Sequence, residues 1–392
     1  MASVFIEKFK EGYRATFEEE WTPMMGGLLI ALLSILCFAW SRPWGVFGGI
    51  RLWGDWVFHT LGLYSGPKPS LWFSSSSLLS IGFLFGAFGS ALLSRQFAIR
   101  MAPGLEIIKG FAGGTLMGVG AALAAGCNVG GFYTALSAFS MNGLAMMVGL
   151  VAGAYIGLRY LLWELERFPS KPGETSPAAS QPGGFDLRKI QPFLGVLVFL
   201  AGIAVTWWYT RHAFTKIGGL LLFGMAFGLV IQRARFCFVR GFRDPFMTGD
   251  GAMPRAVAVS LLISAAGFAL IKYNGFQPES AYVTARFWLG GLLGGVIFGI
   301  GMVVAGGCGS GTLWRVGEGQ VKLLCALISF SLVGSLFTRF LETTGLIERI
   351  GIVVFLPAVT GYMWALILVG VVLAAYFWLA TWNEETDKFT VF

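Results

Sequence analysis

Three cysteines carry the chemistry that this sequence is equipped to do. Cys127 lies in AAGCNVGGF, Cys308 in AGGCGSGTL and Cys237 in RARFCFVRGFRD. In the first two, a thiol ends a glycine-rich apolar stretch. A glycine cluster interrupts a helix, and non-helical backbone at membrane depth survives only where protein or water covers it. Such a break exposes unpaired N–H groups and the N-terminus of a half-helix, both of which favour an anion. Glycine also removes the side chains that would hold a ligand away. Gly126, Asn128 and Gly130 frame the first thiol in this reading, and Gly307 and Gly311 the second. A neutral thiol is a weak, soft donor with a polarizable sulfur. It can touch an anion with a terminal sulfur without trapping it, whereas a thiolate would repel the anion. Cys237 stands among Arg233, Arg235, Arg240 and Arg243. These arginines either draw an anion towards a pore mouth or mark a loop retained inside the cell. The expected arrangement is one path, with Cys127 and Cys308 near its centre and Cys237 towards one mouth.

The elements that position these residues are membrane helices. Hydrophobic residues make up 56% of the 392-residue chain and charged residues only 12%, about half the charge of a soluble domain. Apolar runs of spanning length are Met24–Ser41, Leu78–Ser94, Gly110–Ala125, Gly143–Leu162, Pro192–Tyr209, Gly218–Gln232, Ala256–Ile271, Phe287–Ala305, Lys322–Phe337 and Ile350–Leu379. The first is read as a retained helix and not a signal peptide. Trp44–Leu63 mixes Trp, Arg, Asp and His with apolar residues and reads as an interfacial amphipathic helix. Residues 168–190 are rich in Ser, Pro and Gly and read as a flexible linker between membrane halves at 1–167 and 191–392. The halves echo each other: GGTLMGVGAALAAGCNVG (Gly113–Gly130) aligns without gaps on GGVIFGIGMVVAGGCGSG (Gly294–Gly311). A weaker echo pairs Leu84–Arg100 with Leu222–Phe238. The expected fold is an all-α polytopic membrane protein with two pseudo-symmetric halves and broken or re-entrant helices. If every run spans, both termini, the linker and the arginines at 95, 100, 233, 235, 240 and 243 share the cytoplasmic side, and the two Gly-Cys motifs fall on opposite sides.

Other classes fit poorly. The formal net charge of +8 resides in connecting segments and reads as topology signalling, not nucleic-acid binding. An odd set of five cysteines and two isolated histidines, His59 and His212, argue against a disulfide framework and a zinc site. Neither a metal nor a cofactor is expected. Cys37 and Cys325, flanked by Leu and Ala, read as small apolar residues. Glu318 reads as a polar residue of a helix break or as a proton-linked carboxylate.

Taken together, Gly126-Cys127-Asn128, the run Arg233 to Asp244, and Ala305 to Gly311 followed by Glu318-Gly319-Gln320 resemble the YeeE/YedE sulfur-transport family of bacterial inner-membrane proteins, and specifically its longer, YedE-type branch. The resemblance implies an hourglass-like helical fold with short re-entrant helices. It implies uptake of thiosulfate along a central path, with cysteines at positions 127, 237 and 308 passing the ion onward by transient contacts. It also implies association with a small TusA-like sulfur-carrier protein. The same branch is linked to selenium metabolism, so a selenium-compound transporter is the near alternative. A membrane-embedded thiol enzyme transferring sulfur to a carrier is the alternative of another class. The expectation is a transporter, not an enzyme.

Overall fold

The computed structural model describes residues 2–65, 69–167 and 187–391; most of the expected linker, 168–186, lies outside them. Helix α1 (Ala2–Tyr13) and a π-helical turn (Arg14–Glu18) lead to α2 (Pro23–Trp40), α3 (Phe47–Thr60), α4 (Ser75–Leu93) and α5 (Gly104–Leu123). A π-helical segment, Asn128–Thr134, runs into α6 (Ala135–Ser137) and is followed by α7 (Met141–Arg167). Then come α8 (Leu187–Arg211), α9 (Thr215–Arg233), α10 (Phe238–Met247), α11 (Ala252–Tyr273), α12 (Leu289–Ala305), α13 (Gly309–Gly317), α14 (Val321–Thr343), α15 (Leu346–Arg349) and α16 (Leu356–Thr386). Among the described residues nine helices are long and apolar enough to cross a bilayer, or ten if α5 and the segment after it, bent by 41°, form one span. The protein is therefore an all-helical, multi-pass membrane protein.

The long helices alternate in direction between two ends. Backbone hydrogen bonds from Trp21 to Arg233, Ala98 to Glu318 and Val321 to Arg100 knit the end near the N-terminus, termed proximal. Bonds from Met141 to Val354, Ile352 to Phe287 and Leu356 to Phe139 knit the opposite, distal end. The halves interlock. α4 packs on α9 and α2 on α11, while α7 packs on α12 and α5 on α14, with further contacts between α5 and α12 and between α2 and α9. Exchanging α2 with α9, α4 with α11, α5 with α12 and α7 with α14 turns each pair into another of the set.

Glycine makes these crossings close. A β-carbon on Gly228 would overlap the carbonyl oxygen of Phe83, and one on Gly224 that of Leu79. On the reciprocal face, Gly86 would meet the Met225 backbone in the same way. In lipid the helices gain little from hydrophobic exclusion, so backbone approach through small residues supplies the packing. By contrast, α8 and α16 are mostly lipid-facing, with only 11% and 22% of their apolar windows buried. A kink falls at Gly361, four residues after Pro357, where the backbone (φ 79°, ψ 161°) interrupts α16.

Four shorter segments turn back into the bundle. From the distal end, residues 41–46 lead into α3, and residues 124–127 lead into the π-helical segment. From the proximal end, residues 234–237 lead into α10, and residues 306–308 lead into α13. The segment expected to lie at the interface is thus re-entrant at its start. Trp44 and Val46 are fully buried, and the Trp44 ring stacks on Phe227 at 4.2 Å, because the aromatic surface of α9 covers them better than headgroups would.

The α4–α9 crossing gives a direct test. Gly228→Leu is expected to lower the melting temperature of the detergent-solubilised protein through overpacking worth about 1–3 kcal/mol or more. Gly104→Leu, at a position with open space around it, is expected to leave it unchanged.

Candidate functional site

Each of the three cysteines sits at the same kind of break. Two residues before each one is a left-handed residue that closes the preceding helix: Ala125 (φ 59°), Arg235 (φ 49°) and Gly306 (φ 79°). The residue between them, Gly126, Phe236 or Gly307, donates its N–H to the carbonyl five positions earlier, on Ala121, Ile231 or Met302. This is the Schellman closure, and it satisfies carbonyls that the end of a helix leaves free. The cysteine itself is the N-cap of the short helix that follows. Its carbonyl accepts the first intrahelical bond, from Gly131, Gly241 or Thr312. Cys127 (φ −73°, ψ −179°) and Cys308 (φ −85°, ψ −175°) have nearly the same backbone conformation.

An N-cap side chain faces the free amides of the first turn. Cys308 Sγ accepts from the Gly311 N–H at 3.2 Å and lies 3.5 Å from Ser310 Oγ. The amides of Val129 and Gly130 face the Cys127 sulfur, as do those of Val46 and Phe47 at the start of α3. The Arg240 amide faces Cys237; only Cys308 completes a full cap bond. Two distal and two proximal segments therefore meet with their N-terminal ends inward, and their partial positive charges converge.

The first turn of α13 brings the thiols together. A β-carbon on Gly309 would stand 3.1 Å from Cys127 Sγ, and one on Gly311 would stand 3.1 Å from Cys308 Sγ and 3.6 Å from Cys237 Sγ. Cys237 thus lies beside Cys308 at the centre rather than towards a mouth, because α10 turns back inward after Arg235. All three thiols are at most 1% exposed. Aromatic rings fill the space around them: Phe132 meets Phe238 and Phe242 edge-on, and Tyr133 meets Trp44 and Phe238.

Several buried polar groups here have no hydrogen-bond partner. The Asn128 amide lies against the Cys308 thiol, yet neither its nitrogen nor its oxygen completes a bond of ordinary geometry. The same is true of Thr312 Oγ1, Trp314 Nε1 and Trp44 Nε1. Fully buried polar groups without partners are uncommon and costly, and these are chiefly donors.

A cavity of 290 Å³ opens from the distal end towards Cys127 and ends on Gly126 and Gly130. Arg42, Arg51 and Arg286 line it, with Tyr282, Thr284 and Glu342. Arg51 pairs with Glu342 at 3.4 Å, whereas Arg286 Nε and Thr284 Oγ1 are buried without partners. The Tyr282 hydroxyl stands where β-carbons on Gly45 and Gly130 would be, within 2.8 Å of both positions. Burial pushes its phenol up to about 12, so it stays a neutral donor at physiological pH. The sequence reading missed these residues, since lone basic residues between apolar runs resemble topology signals.

The arginines singled out around Cys237 are mostly compensated. Arg240 pairs with Asp244 (2.9 Å) and Asp250 (3.2 Å), and Arg243 pairs with Asp244 (2.7 Å). Arg235 pairs with Glu20 (3.0 Å) and Glu318 (3.1 Å), and stacks over Trp314. Arg233 is 1% exposed and donates to the Glu19 carbonyl, while its Nε and Nη1 are unpaired. Glu318, fully buried, also takes Gln232 Nε2 at 2.9 Å and lies 3.6 Å from Arg100. It closes the proximal end beneath α13. Cys37 lies apart at the end of α2, donating to the Arg42 carbonyl, and Cys325 lies partly exposed on α14.

Broken helices that enter from both ends and meet at membrane depth define a multi-pass protein of the transporter type. The chain belongs to the sulfur-transport family, the YeeE/YedE group: the family model described as "Sulphur transport" matches residues 5–156 and 233–391. It is 30% identical over 330 residues to Probable transporter YedE of Escherichia coli K12, covering 80% of this chain and 79% of that protein. A second Probable transporter YedE, from Salmonella typhimurium LT2, is 30% identical over 328 residues, with the same coverage of each chain. Thiosulfate transporter TsuA of Escherichia coli K12 is 37% identical over 123 residues, which are 31% of this chain and 34% of that protein.

Asn128 separates function from stability. Asn128→Leu removes two unpaired buried polar atoms, so it is expected to leave thermal stability unchanged or raise it by about 1–3 kcal/mol while reducing transport. A variant that loses both stability and transport would mark Asn128 as a structural residue.

Proposed function

We propose that the protein takes up thiosulfate, or a closely related small anion with a terminal sulfur, through the path lined by Cys127, Cys237 and Cys308. The observation that carries this reading is the meeting of three N-capping thiols on the first turn of α13, where Gly309 and Gly311 place no side chain beside their sulfurs. Converging helix N-termini favour an anion. The unpaired donor of Asn128 offers it a hydrogen bond, and soft thiols suit a terminal sulfur better than oxygen. The match to a relative named as a thiosulfate transporter supports the same substrate class.

In this reading the distal end faces outward and the proximal end, with Arg95, Arg100, Arg233 and Arg235, faces the cytoplasm of a bacterial inner membrane. The anion is drawn into the distal cavity by Arg42, Arg51 and Arg286, passes Tyr282, and meets Cys127. It then transfers to Cys308 and Cys237 through S–H contacts that form and break without a covalent bond. It leaves past Trp314 and the Arg235–Glu318 pair. A small carrier protein of the TusA type on the proximal face would consume the sulfur and keep the flow inward.

Uptake of labelled thiosulfate, with selenite and sulfate as comparators, tests the substrate in cells lacking their own transporters. Alanine at Cys127, Cys237 or Cys308 is expected to reduce uptake roughly ten- to a hundredfold, since a hydrogen bond to a charged ligand is worth about 1.5–3 kcal/mol. Serine should restore it only in part. Cys37→Ala and Cys325→Ala should transport nearly normally at matched expression. Silent alanines at both Cys127 and Cys308 would end the relay reading.

Charge steering gives a second test. Arg42→Ala is expected to slow uptake more at low salt than at high salt, because Arg42 lines the cavity half-buried and its pull on an approaching anion is screened over about 10 Å at 0.1 M. Arg240→Ala, whose charge is matched by Asp244 and Asp250, should show a smaller salt-dependent change. A larger effect at Arg240 would move the capture site to the proximal end.

A further inference from the structure

Cys237 and Cys308 differ from Cys127 in one respect: their sulfurs are neighbours beside one residue, Gly311. Both face the same point, at 3.6 and 3.1 Å from where the Gly311 β-carbon would stand. Cys127 instead faces backbone amides across Gly309. We propose that Cys237 and Cys308 form an oxidation site for polythionates, which convert the pair to a disulfide and shut the path. The proposal rests on the transport reading for the oxidant's route and for the consequence, though not for the thiol chemistry.

The geometry selects the reagent. Cys237 and Cys308 are 1% and 0% exposed, so an oxidant reaches them only along the route an anion takes. Tetrathionate is two thiosulfates joined through their terminal sulfurs, and it carries its oxidising bond between those sulfurs. The Cys308 sulfur attacks one of the two inner sulfurs of tetrathionate. The central S–S bond breaks, one thiosulfate departs with the electron pair, and the thiol proton is released. Cys308 then carries the second thiosulfate through a new S–S bond. The Cys237 sulfur attacks Cys308 Sγ, a cystine bond forms, and the second thiosulfate leaves with its electron pair as the Cys237 proton is released. The sum is two thiols and one tetrathionate giving one disulfide, two thiosulfates and two protons. Two electrons pass from the thiols to the polythionate.

Two features of the fold favour the step. The N-terminus of α13, whose Gly311 amide already bonds to Cys308 Sγ, stabilises negative charge developing on that sulfur as it attacks. With no side chain on Gly311 between them, the two sulfurs can reach the bonded separation of about 2.05 Å by side-chain rotation. Once joined, the disulfide ties the N-cap of α10 to that of α13. It also removes both S–H donors, so the anion loses its partners on the proximal side of the path.

The experiment uses the full chain reconstituted in vesicles, treated with tetrathionate or with the neutral oxidant diamide. Peptide mass spectrometry reads the cross-link, and labelled thiosulfate reads transport. The expected result is a cross-link between the peptides holding Cys237 and Cys308 with either reagent. Uptake should be almost wholly lost and should return with dithiothreitol. Cys37, Cys127 and Cys325 should stay free, and Cys237→Ala and Cys308→Ala should each abolish the cross-link. Free thiols after both reagents would overturn the site, a cross-link with diamide alone would overturn the assignment of polythionate, and a cross-linked protein that still transports would overturn the shut path. The cross-link is read on the protein itself, so an untreated protein that takes up no thiosulfate counts against the transport reading alone.

Discussion

A chain that breaks a helix inside a membrane must still satisfy the backbone groups the break sets free, and the rest of this structure follows from how it does so. An unpaired amide or carbonyl in hydrocarbon costs several kcal/mol. Three times the protein uses the same solution. A left-handed residue closes one helix, the next amide reaches back five positions, and a cysteine starts a new short helix. The carbonyl side of each break is satisfied by this closure. The amide side points inward, towards sulfur. The break therefore leaves a residue of positive potential at the centre of the bundle, where a soft side chain is waiting.

Meeting at one place imposes a second requirement. Segments entering from opposite ends can approach only if the surfaces between them are small, and Gly309 and Gly311 supply this for the thiols. The long helices that hold the segments cross closely for the same reason, as at Gly86, Gly224 and Gly228. Packing of this kind leaves little space between backbones, and the unpaired Asn128, Thr312 and Trp314 groups stand out against it. A membrane protein that satisfies its breaks so fully, yet leaves side-chain donors unpaired beside them, holds free energy available for a ligand that pairs them.

Much of this was legible in the sequence, and the omissions have physical causes. The ten apolar runs correspond to long helices, since hydropathy over a bilayer's length is a strong signal. The matching Gly-Cys pairs marked the breaks at Cys127 and Cys308, because Gly-rich backbone followed by a small side chain has few other readings. The break before Cys237 was harder to see. Its left-handed position is filled by Arg235, which has a β-carbon and no local signature of a turn. The inward return of α10 was consequently missed, and Cys237 was read as lying near a mouth. Trp44 and Val46 looked interfacial because aromatic and charged residues alternate around them, and only the surface of Phe227 shows that they are buried. The arginines near Cys237 were visible, but their partners were not: Glu20 and Glu318 lie 215 and 83 positions away from Arg235 in the chain. Arg42, Arg51 and Arg286 gather from separate loops, so no local motif could reveal the distal cavity.

The central claim is that an anion with a terminal sulfur rests against the N-capping thiols. The most direct test is the structure of the protein in a lipid nanodisc with thiosulfate, compared with sulfate at the same concentration. The account predicts tetrahedral density on the Gly126–Gly130 side of the break or at the first turn of α13, with its terminal sulfur in contact with Cys127 or Cys308 and its oxygens on backbone amides or Asn128. Sulfate should leave the same position weak or empty. Equal density for both ions would contradict the role of sulfur contacts, and thiosulfate bound away from all three cysteines would contradict the site.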